Sequence, residues 1–250
     1  MPEPKIPADA QQQMPESGRA ARVPGVFDQA FLTDVEGVTE IFFVRHAQPD
    51  INFEGVVGDS IDPPLTDYGR MQAKLVGTAL STTEFHAIFS SPMKRAKETA
   101  DAIAHHHKHL EINVIPDLAE VGIFRDVPRD QKVQDYLGKE MLLGVRQRML
   151  EERSWDVYPY SESSFDFKKR AINAVETCIA HNAGTRIAIV CHGGVINAYV
   201  GHIVKSPFDM MFRPAHTSVN VVVAGEGRRV LRLLNDTHHL TTGEGEFVTY

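Results

Sequence analysis

Cysteine is scarce in this chain, with Cys178 and Cys191 the two present in 250 residues. Both fall inside apolar periodic segments, which reads as two reduced core residues rather than a disulfide framework. A bridge between them stays geometrically open. Long apolar runs are missing as well: no stretch approaches the ~18 consecutive apolar residues of a membrane helix. The opening MPEPKIPADAQQQMPESGRAARVPG carries Pro, Gln and charge where a secretory signal would have an apolar core. The expected compartment is therefore the cytoplasm, by default. Positive charge is in deficit, since 26 Lys and Arg stand against 33 Asp and Glu for a net charge of −7. That balance argues against nucleic acid or an anionic membrane as partner, yet leaves room for a local basic pocket. Internal repeats are absent, and residues 1–36 are expected to be a flexible extension.

What is present is ordinary for a soluble globular chain, at 42% apolar and 24% charged residues, and long enough for a sizeable core. TEIFFVR (39–45), HAIFSS (86–91), LEINVIP (110–116) and RIAIVC (186–191) read as short, buried strands. Residues 218–224 and 229–234 read as a closing hairpin around GEG. Between them the pattern is helical. Thr66 caps TDYGRMQAKLVGTALS, with Met71, Leu75 and Ala79 on one face, and Pro92 opens a helix at its first position. Residues 131–153 are helical in pattern though weakened by Gly138 and Gly144. Ser163 or Ser164 caps a helix to His181, and Gly193-Gly194 opens another. Strands alternating with helices predict an α/β protein, a three-layer α/β/α sandwich around a mostly parallel sheet.

In such a sheet ligands sit beyond the carboxyl ends of the strands. Three strand ends stand out: Arg45-His46, the SSPMKR stretch leading to Arg95, and His192-Gly193-Gly194. If they converge, two arginines and two histidines share a pocket with helix N-termini, whose unpaired N–H groups favour anions. Arginine's fork fits phosphate oxygens and stays charged. Each piece alone has a plainer reading: a hydrogen-bonded histidine, a solvated helix face around Lys94 and Lys97, a glycine pair for close packing. Their common position at strand ends favours a phosphoryl pocket.

FFVRHAQPD, with Asn52 beyond it, resembles the signature of the histidine phosphatase superfamily, the group that includes cofactor-dependent phosphoglycerate mutases. DPPLTDYGRMQA (62–73), SPMKRAKET (91–99), DLAEVG (117–122), SESSFDFKKR (161–170) and CHGGVI (191–196) are similar to its further motifs in order, with Ser161 where glycine is usual. The resemblance runs from about residue 39 to the end and implies a catalytic domain over 37–250. It implies phosphoryl transfer through a phosphohistidine on His46. Arg45, Arg95, Asn52 and His192 would surround the phosphoryl group, with Gly193 offering a backbone N–H, and Glu120 would act as general acid and base.

No metal and no cofactor is implied. His105 and His109 in HHHKH stand four apart on a helix face, but no Asp, Glu or Cys at ligand spacing completes a metal set. Residues 124–160, rich in Arg, with Trp155, Tyr158 and Tyr160, are expected to form a helical cap insertion. The stretch after Glu120, VGIFRDVPRD, lacks the Arg-His-Tyr-Gly of the mutases, so hydrolysis of a small-molecule phosphate ester is preferred. Mutase-type transfer and a catalytically silent phospho-ligand binder are the alternatives, and a homodimer is left open.

Overall fold

A strand of alternating large apolar residues must bury both faces, and β1 (Thr39–Arg45) does so at the centre of a six-stranded sheet. The structure is a computed structural model that describes residues 25–52, 54–243 and 245–250. The chain divides between Val35 and Glu36 into two units. In the first, α1 (Val26–Phe31) is a short helix with Val26, Phe27 and Phe31 exposed. The flexible extension expected over 1–36 otherwise falls on residues 1–24, outside the described residues, and that expectation had no helix in it.

The second unit carries, after β1, α2 (Val57–Ile61), α3 (Asp67–Ala79), β2 (Ala87–Ser90), α4 (Lys94–Ala104), β3 (Ile112–Val114), α5 (Val133–Leu137), α6 (Lys139–Glu152) and α7 (Ser164–His181). It continues with β4 (Arg186–Cys191), α8 (Gly193–Val204), β5 (Val219–Gly225), β6 (Arg228–Asp236) and a small pair, β7 (Thr241–Thr242) with β8 (Gly245–Glu246). The strand order is β3-β2-β4-β1-β5-β6. β1, β2, β3 and β4 pair in parallel; β5 runs antiparallel to β1, and β6 to β5.

Period-two alternation sorts the strand side chains into two cores. Val44, Ile88, Ala188, Val190, Val219 and Val221 face α3 and α4 through Val76, Ala96, Ala100 and Ile103. Ile41, Phe43, Phe89, Ile187, Ile189, Cys191 and Val222 face α7 and α8 through Phe167, Val175, Ile196 and Tyr199. Full burial of each large side chain contributes roughly 1.5–3 kcal/mol. The expected three-layer sandwich is observed. Among the described residues no helix is long and apolar enough to cross a membrane, and Cys178 and Cys191 are free and buried.

Three local expectations are corrected. The buried face of α3 is Gly69, Gln72, Ala73, Val76 and Gly77, not Met71-Leu75-Ala79. Gln72 goes inside because its amide is satisfied: Oε1 accepts from Gln48 N at 3.0 Å, and Nε2 donates to Phe247 O at 2.7 Å and Thr249 Oγ1 at 2.9 Å. Pro92 does not open α4. Met93 is its N-cap, its N–H turned back to Ser91 Oγ, and the first helical N–H, that of Lys94, donates to Asp62 Oδ1 at 2.7 Å. The helical stretch 131–153 is broken at Gly138, whose φ of 77° lies in the region that favours glycine. Thr66 and Ser163 cap α3 and α7 as expected.

Candidate active site

The parallel pairing of β1 with β4 sets Arg45 beside Cys191, so the residues that follow each strand emerge together. His46 N donates to Cys191 O at 2.9 Å, which locks the two strand ends in step. Ser91 N donates to Val190 O at 3.0 Å and adds the end of β2. His46, Arg95 and His192 therefore meet, and all three are buried.

His46 Nδ1 lies 2.7 Å from Ala47 O, an acceptor alone, so Nδ1 carries the proton. Nε2 then holds a lone pair and accepts from Arg95 Nε at 3.2 Å. Burial, followed by Arg95, His192 and Arg45, drives the His46 imidazole well below its ordinary range, so it is neutral. His192, the N-cap residue of α8, stands with its ring centroid 5.0 Å from that of His46. Its Nε2 is 2.7 Å from Ser91 Oγ, and its Nδ1 is enclosed without a hydrogen-bond partner. Burial, then Arg95 and Arg45, keeps it neutral as well.

Arg45 donates through Nη1 to Pro214 O, while its enclosed Nε has no partner. Burial chiefly lowers its guanidinium to about 10, still charged at neutral pH. Arg95 is lowered by burial and drawn back up by Glu120 and Asp62. An unsatisfied buried donor at Arg45 Nε, beside fixed guanidiniums and two neutral imidazoles, describes a site for an anion.

Glu120 completes the cluster from the loop after β3. Its Oε2 accepts from Gly194 N at 3.1 Å, at the N-terminus of α8, and its Oε1 from Val121 N at 2.9 Å. A Cβ on Gly194 would fall 2.1 Å from Glu120 Oε1, so this glycine is what lets the carboxylate sit against the helix. The loop itself is held by Arg170 of α7, which donates to Asp117 O at 2.8 Å, Ala119 O at 2.7 Å and Glu120 O at 3.0 Å. Arg170 also forks onto Glu162, with both contacts 2.7 Å. Burial pushes the Glu162 carboxyl up, but Arg170 and the Gly122 N–H outweigh it and hold the group below its usual value.

Of the residues expected from sequence, Arg45, His46, Arg95, Glu120, His192 and Gly193 are brought together. Asn52 follows on the same loop as His46, where its Oδ1 accepts from Glu54 N at 3.1 Å and its backbone carbonyl from Ser60 Oγ. Three residues were missed. His216 places its ring 5.6 Å from His46 and is lowered to about 3 by burial and then Arg45. Arg213 lies near enough to Arg45 and His216 to depress both. Arg170 is the third. A search confined to the carboxyl ends of strands overlooks His216, which precedes β5. An antiparallel strand presents its amino end on that side, and this is the signal that could have found it.

A cavity of about 480 Å³ opens from the cluster, lined by Arg45, Glu120, Gly193 and Gly194 and by the segments around Arg153-Trp155 and Met210–Pro214. Among the described residues no three His, Cys, Asp or Glu side chains gather as a metal site would require.

A family model described as the histidine phosphatase superfamily (branch 1) matches residues 41–237. The chain is 30% identical over 207 residues to a metal-independent phosphoserine phosphatase of Arabidopsis thaliana, covering 82% of this chain and 84% of that one. It is 27% identical over 218 residues to the probable phosphatase C1687.21 of Schizosaccharomyces pombe, covering 82% and 97%. Among solved structures, YhfR of Bacillus stearothermophilus has the same fold, with a TM-score of 0.69 and 24% identity over 80% of this chain and 98% of that one.

Proposed function

Since the chain belongs to branch 1 of the histidine phosphatase superfamily, we propose that it is a metal-independent phosphomonoesterase acting through a phosphohistidine on His46. The observation that carries this reading is the state of that ring: neutral, with Nδ1–H committed to Ala47 O and the Nε2 lone pair turned to Arg95. A nucleophile needs that lone pair, and the carbonyl fixes which nitrogen has it. When a phosphate monoester enters, its oxygens take over Arg95's donors, and Nε2 is released to attack phosphorus in line.

The P–Nε2 bond forms as the P–O ester bond breaks, and Glu120, having taken up the proton that the monoanionic ester brings in, gives it to the departing alkoxide. The guanidiniums of Arg45 and Arg95 hold the equatorial oxygens as charge spreads over them, with the His192 ring beside them. Water then attacks phosphorus, Glu120 takes its proton, and inorganic phosphate leaves a neutral His46. Asn52 through its side-chain amide N–H and Gly193 through its backbone N–H are further donors to the phosphoryl oxygens.

Hydrolysis is favoured over return of the phosphoryl group to the alcohol, because a cavity of about 480 Å³ has room for water beside a small ester. The segment 124–160 supplies one wall of that cavity through Arg153 and Trp155, which supports its role as a cap. The similarity to a phosphoserine phosphatase supports a small-molecule substrate.

The test is release of p-nitrophenol from p-nitrophenyl phosphate in the presence of EDTA. The wild type turns over undiminished by the chelator, and His46→Ala loses at least about 1,000-fold. Turnover surviving in His46→Ala would sink the mechanism. Incubation with 3-phosphoglycerate and 2,3-bisphosphoglycerate yields inorganic phosphate rather than 2-phosphoglycerate.

A further inference from the structure

His216 stands beside the nucleophile and has no part in the chemistry so far described. Its ring centroid lies 5.6 Å from that of His46, the planes tilted by 46°, and the residue is buried. The turn that carries it is held against its own preference. Thr217, which follows, has a φ of 58°, in the left-handed region that a β-branched residue avoids. Its N–H donates to Arg45 O at 3.1 Å, and its Oγ1 pairs with His239 Nε2 at 3.1 Å. Strain of this kind collects at functional sites, where neighbouring bonds maintain it.

The hydrogen bonds around His216 assign its proton. Gln48 N can only donate and Phe247 O can only accept, so the Gln72 amide between them has one orientation, Oε1 toward Gln48 and Nε2 toward Phe247. The second Nε2 hydrogen goes to Thr249 Oγ1 at 2.9 Å. Thr249 Oγ1 is an acceptor in that bond, and its own proton is left for His216 Nδ1 at 2.8 Å. A further bond, His216 N to Thr249 O at 2.8 Å, keeps the two residues in step. Nδ1 thus accepts, and the neutral ring carries its hydrogen on Nε2. This is the reverse of His46, where Nδ1 holds the hydrogen and Nε2 the lone pair. Nε2 of His216 has no hydrogen-bond partner among the described residues and, unlike Nδ1 of His192, it is not enclosed. Burial, then Arg45, Arg213 and Arg95, lowers the ring to about 3, so it stays neutral among these guanidiniums.

We propose that His216 is a further catalytic residue, its Nε2–H donating to an oxygen of the phosphoryl group as that group passes to His46. Thr249 is the positioning residue that selects the tautomer. Charge spreads over three phosphoryl oxygens in the transition state, and a neutral donor adds to the guanidiniums without repelling them. This rests on the phosphomonoesterase reading above.

The experiment compares full-length wild type with His216→Phe, which keeps a ring in place without its nitrogens, on p-nitrophenyl phosphate and a plain alkyl phosphate. kcat/KM falls about 100-fold, the scale of one preorganised donor to a reacting oxygen. The factor is the same on both esters, because the donor holds the phosphoryl group and not the leaving group. Thr249→Val, which removes the hydroxyl, loses about tenfold, the scale of one hydrogen bond, and Thr249→Ser recovers it. Orthovanadate, which mimics the five-coordinate transition state, loses affinity for His216→Phe in parallel with kcat/KM. A loss that differs between the esters, a His216→Phe protein as active as wild type, or Thr249→Ser no better than Thr249→Val overturns the proposal.

A second readout needs neither turnover nor a folded variant. Long-range proton–nitrogen spectra of the assigned wild type at neutral pH distinguish the two imidazole tautomers. His216 is expected with its hydrogen on Nε2, and that resonance moves on titration with orthovanadate. A hydrogen on Nδ1, or an Nε2 resonance indifferent to vanadate, overturns the proposal. If no ester is hydrolysed but the Nε2 resonance still responds, the phosphatase reading fails and the anion donor stands.

Discussion

Gly194→Ala separates the fold from the chemistry. The added Cβ would lie 2.1 Å from Glu120 Oε1 and 3.1 Å from both Glu120 Cδ and Phe167 Cζ. A carbon–oxygen contact settles near about 3.3 Å, so the carboxylate has to retreat by about 1 Å. It can do so, because it is the free end of a flexible side chain, whereas Phe167 in the packed core needs to give only a few tenths of an ångström. Overpacking of this kind costs about 1–3 kcal/mol, and alanine's helix preference over glycine returns up to about 1 kcal/mol. The melting temperature should therefore fall by no more than about 8 °C for a domain of this size. Activity should fall much further, since a displaced general acid forfeits about 100-fold or more. The loss in kcat/KM, which reports the step that expels the leaving group, should also grow with leaving-group difficulty: modest on p-nitrophenyl phosphate, whose phenolate departs without a proton, and severe on an alkyl phosphate. The assay is kcat/KM and kcat on both esters beside a thermal melt. Gly193→Ala is the contrast, because its Cβ meets nothing nearer than Arg45 Nε at 3.7 Å, and a far smaller loss is expected. A folded Gly194→Ala protein with wild-type kcat on the alkyl ester would refute both the placement and the role of Glu120.

Arg170→Lys keeps the charge but not the fork onto Glu162 or the reach to three loop carbonyls. An about tenfold or larger drop in kcat with little change in KM is expected from steady-state kinetics on the alkyl ester. His46, His192 and His216 are all held neutral by burial and neighbouring guanidiniums. Below pH 6.5 the unfolded chain binds protons that the fold refuses. Stability present above that pH is thus lost as pH falls, at about 1.4 kcal/mol per pH unit for each histidine, until the folded pKa is reached. For His216 that window runs from 6.5 down to about 3. Thermal melts between pH 7 and 5 should steepen accordingly, and His216→Gln should flatten the dependence by one proton's worth; an unchanged slope counts against it. Asp209→Ala removes an acceptor shared by Ser154, Trp155, Ser164 and Lys168. It should cost about 1–3 kcal/mol in denaturant unfolding, and no loss would mean that the two cavity walls stand without it.

The central sheet was legible because its strands are apolar on both sides, and such runs have few alternatives to burial. Arg45, His46, Arg95 and His192 were legible because parallel strands bring their carboxyl ends to one edge. What escaped depends on partners distant in sequence. Gln72 is buried only because Phe247 and Thr249 satisfy its amide, and nothing in the helix itself announces that. Arg170 closes the SESSFDFKKR motif, but its role shows only when its three carbonyl acceptors in a loop about fifty residues earlier are seen. His216 enters from an antiparallel strand, against the direction the search assumed.

Cys191 has a consequence of another kind. It is wholly enclosed in β4, in register with Arg45, and its carbonyl receives the His46 N–H. Burial raises its thiol far above the ordinary range, so no thiolate is presented to a reagent while β1 and β4 are joined. Alkylation of Cys191 then requires the strands to part, and parting them dismantles the ring of groups around His46 in the same event. Under excess reagent the labelling rate becomes the rate at which the centre of the molecule opens. Cys178, on α7, lies in the same core as Cys191 and supplies a second clock, for the helix layer packed against that face of the sheet. Two thiols that take no part in the chemistry can thus time how long the assembled site persists between openings.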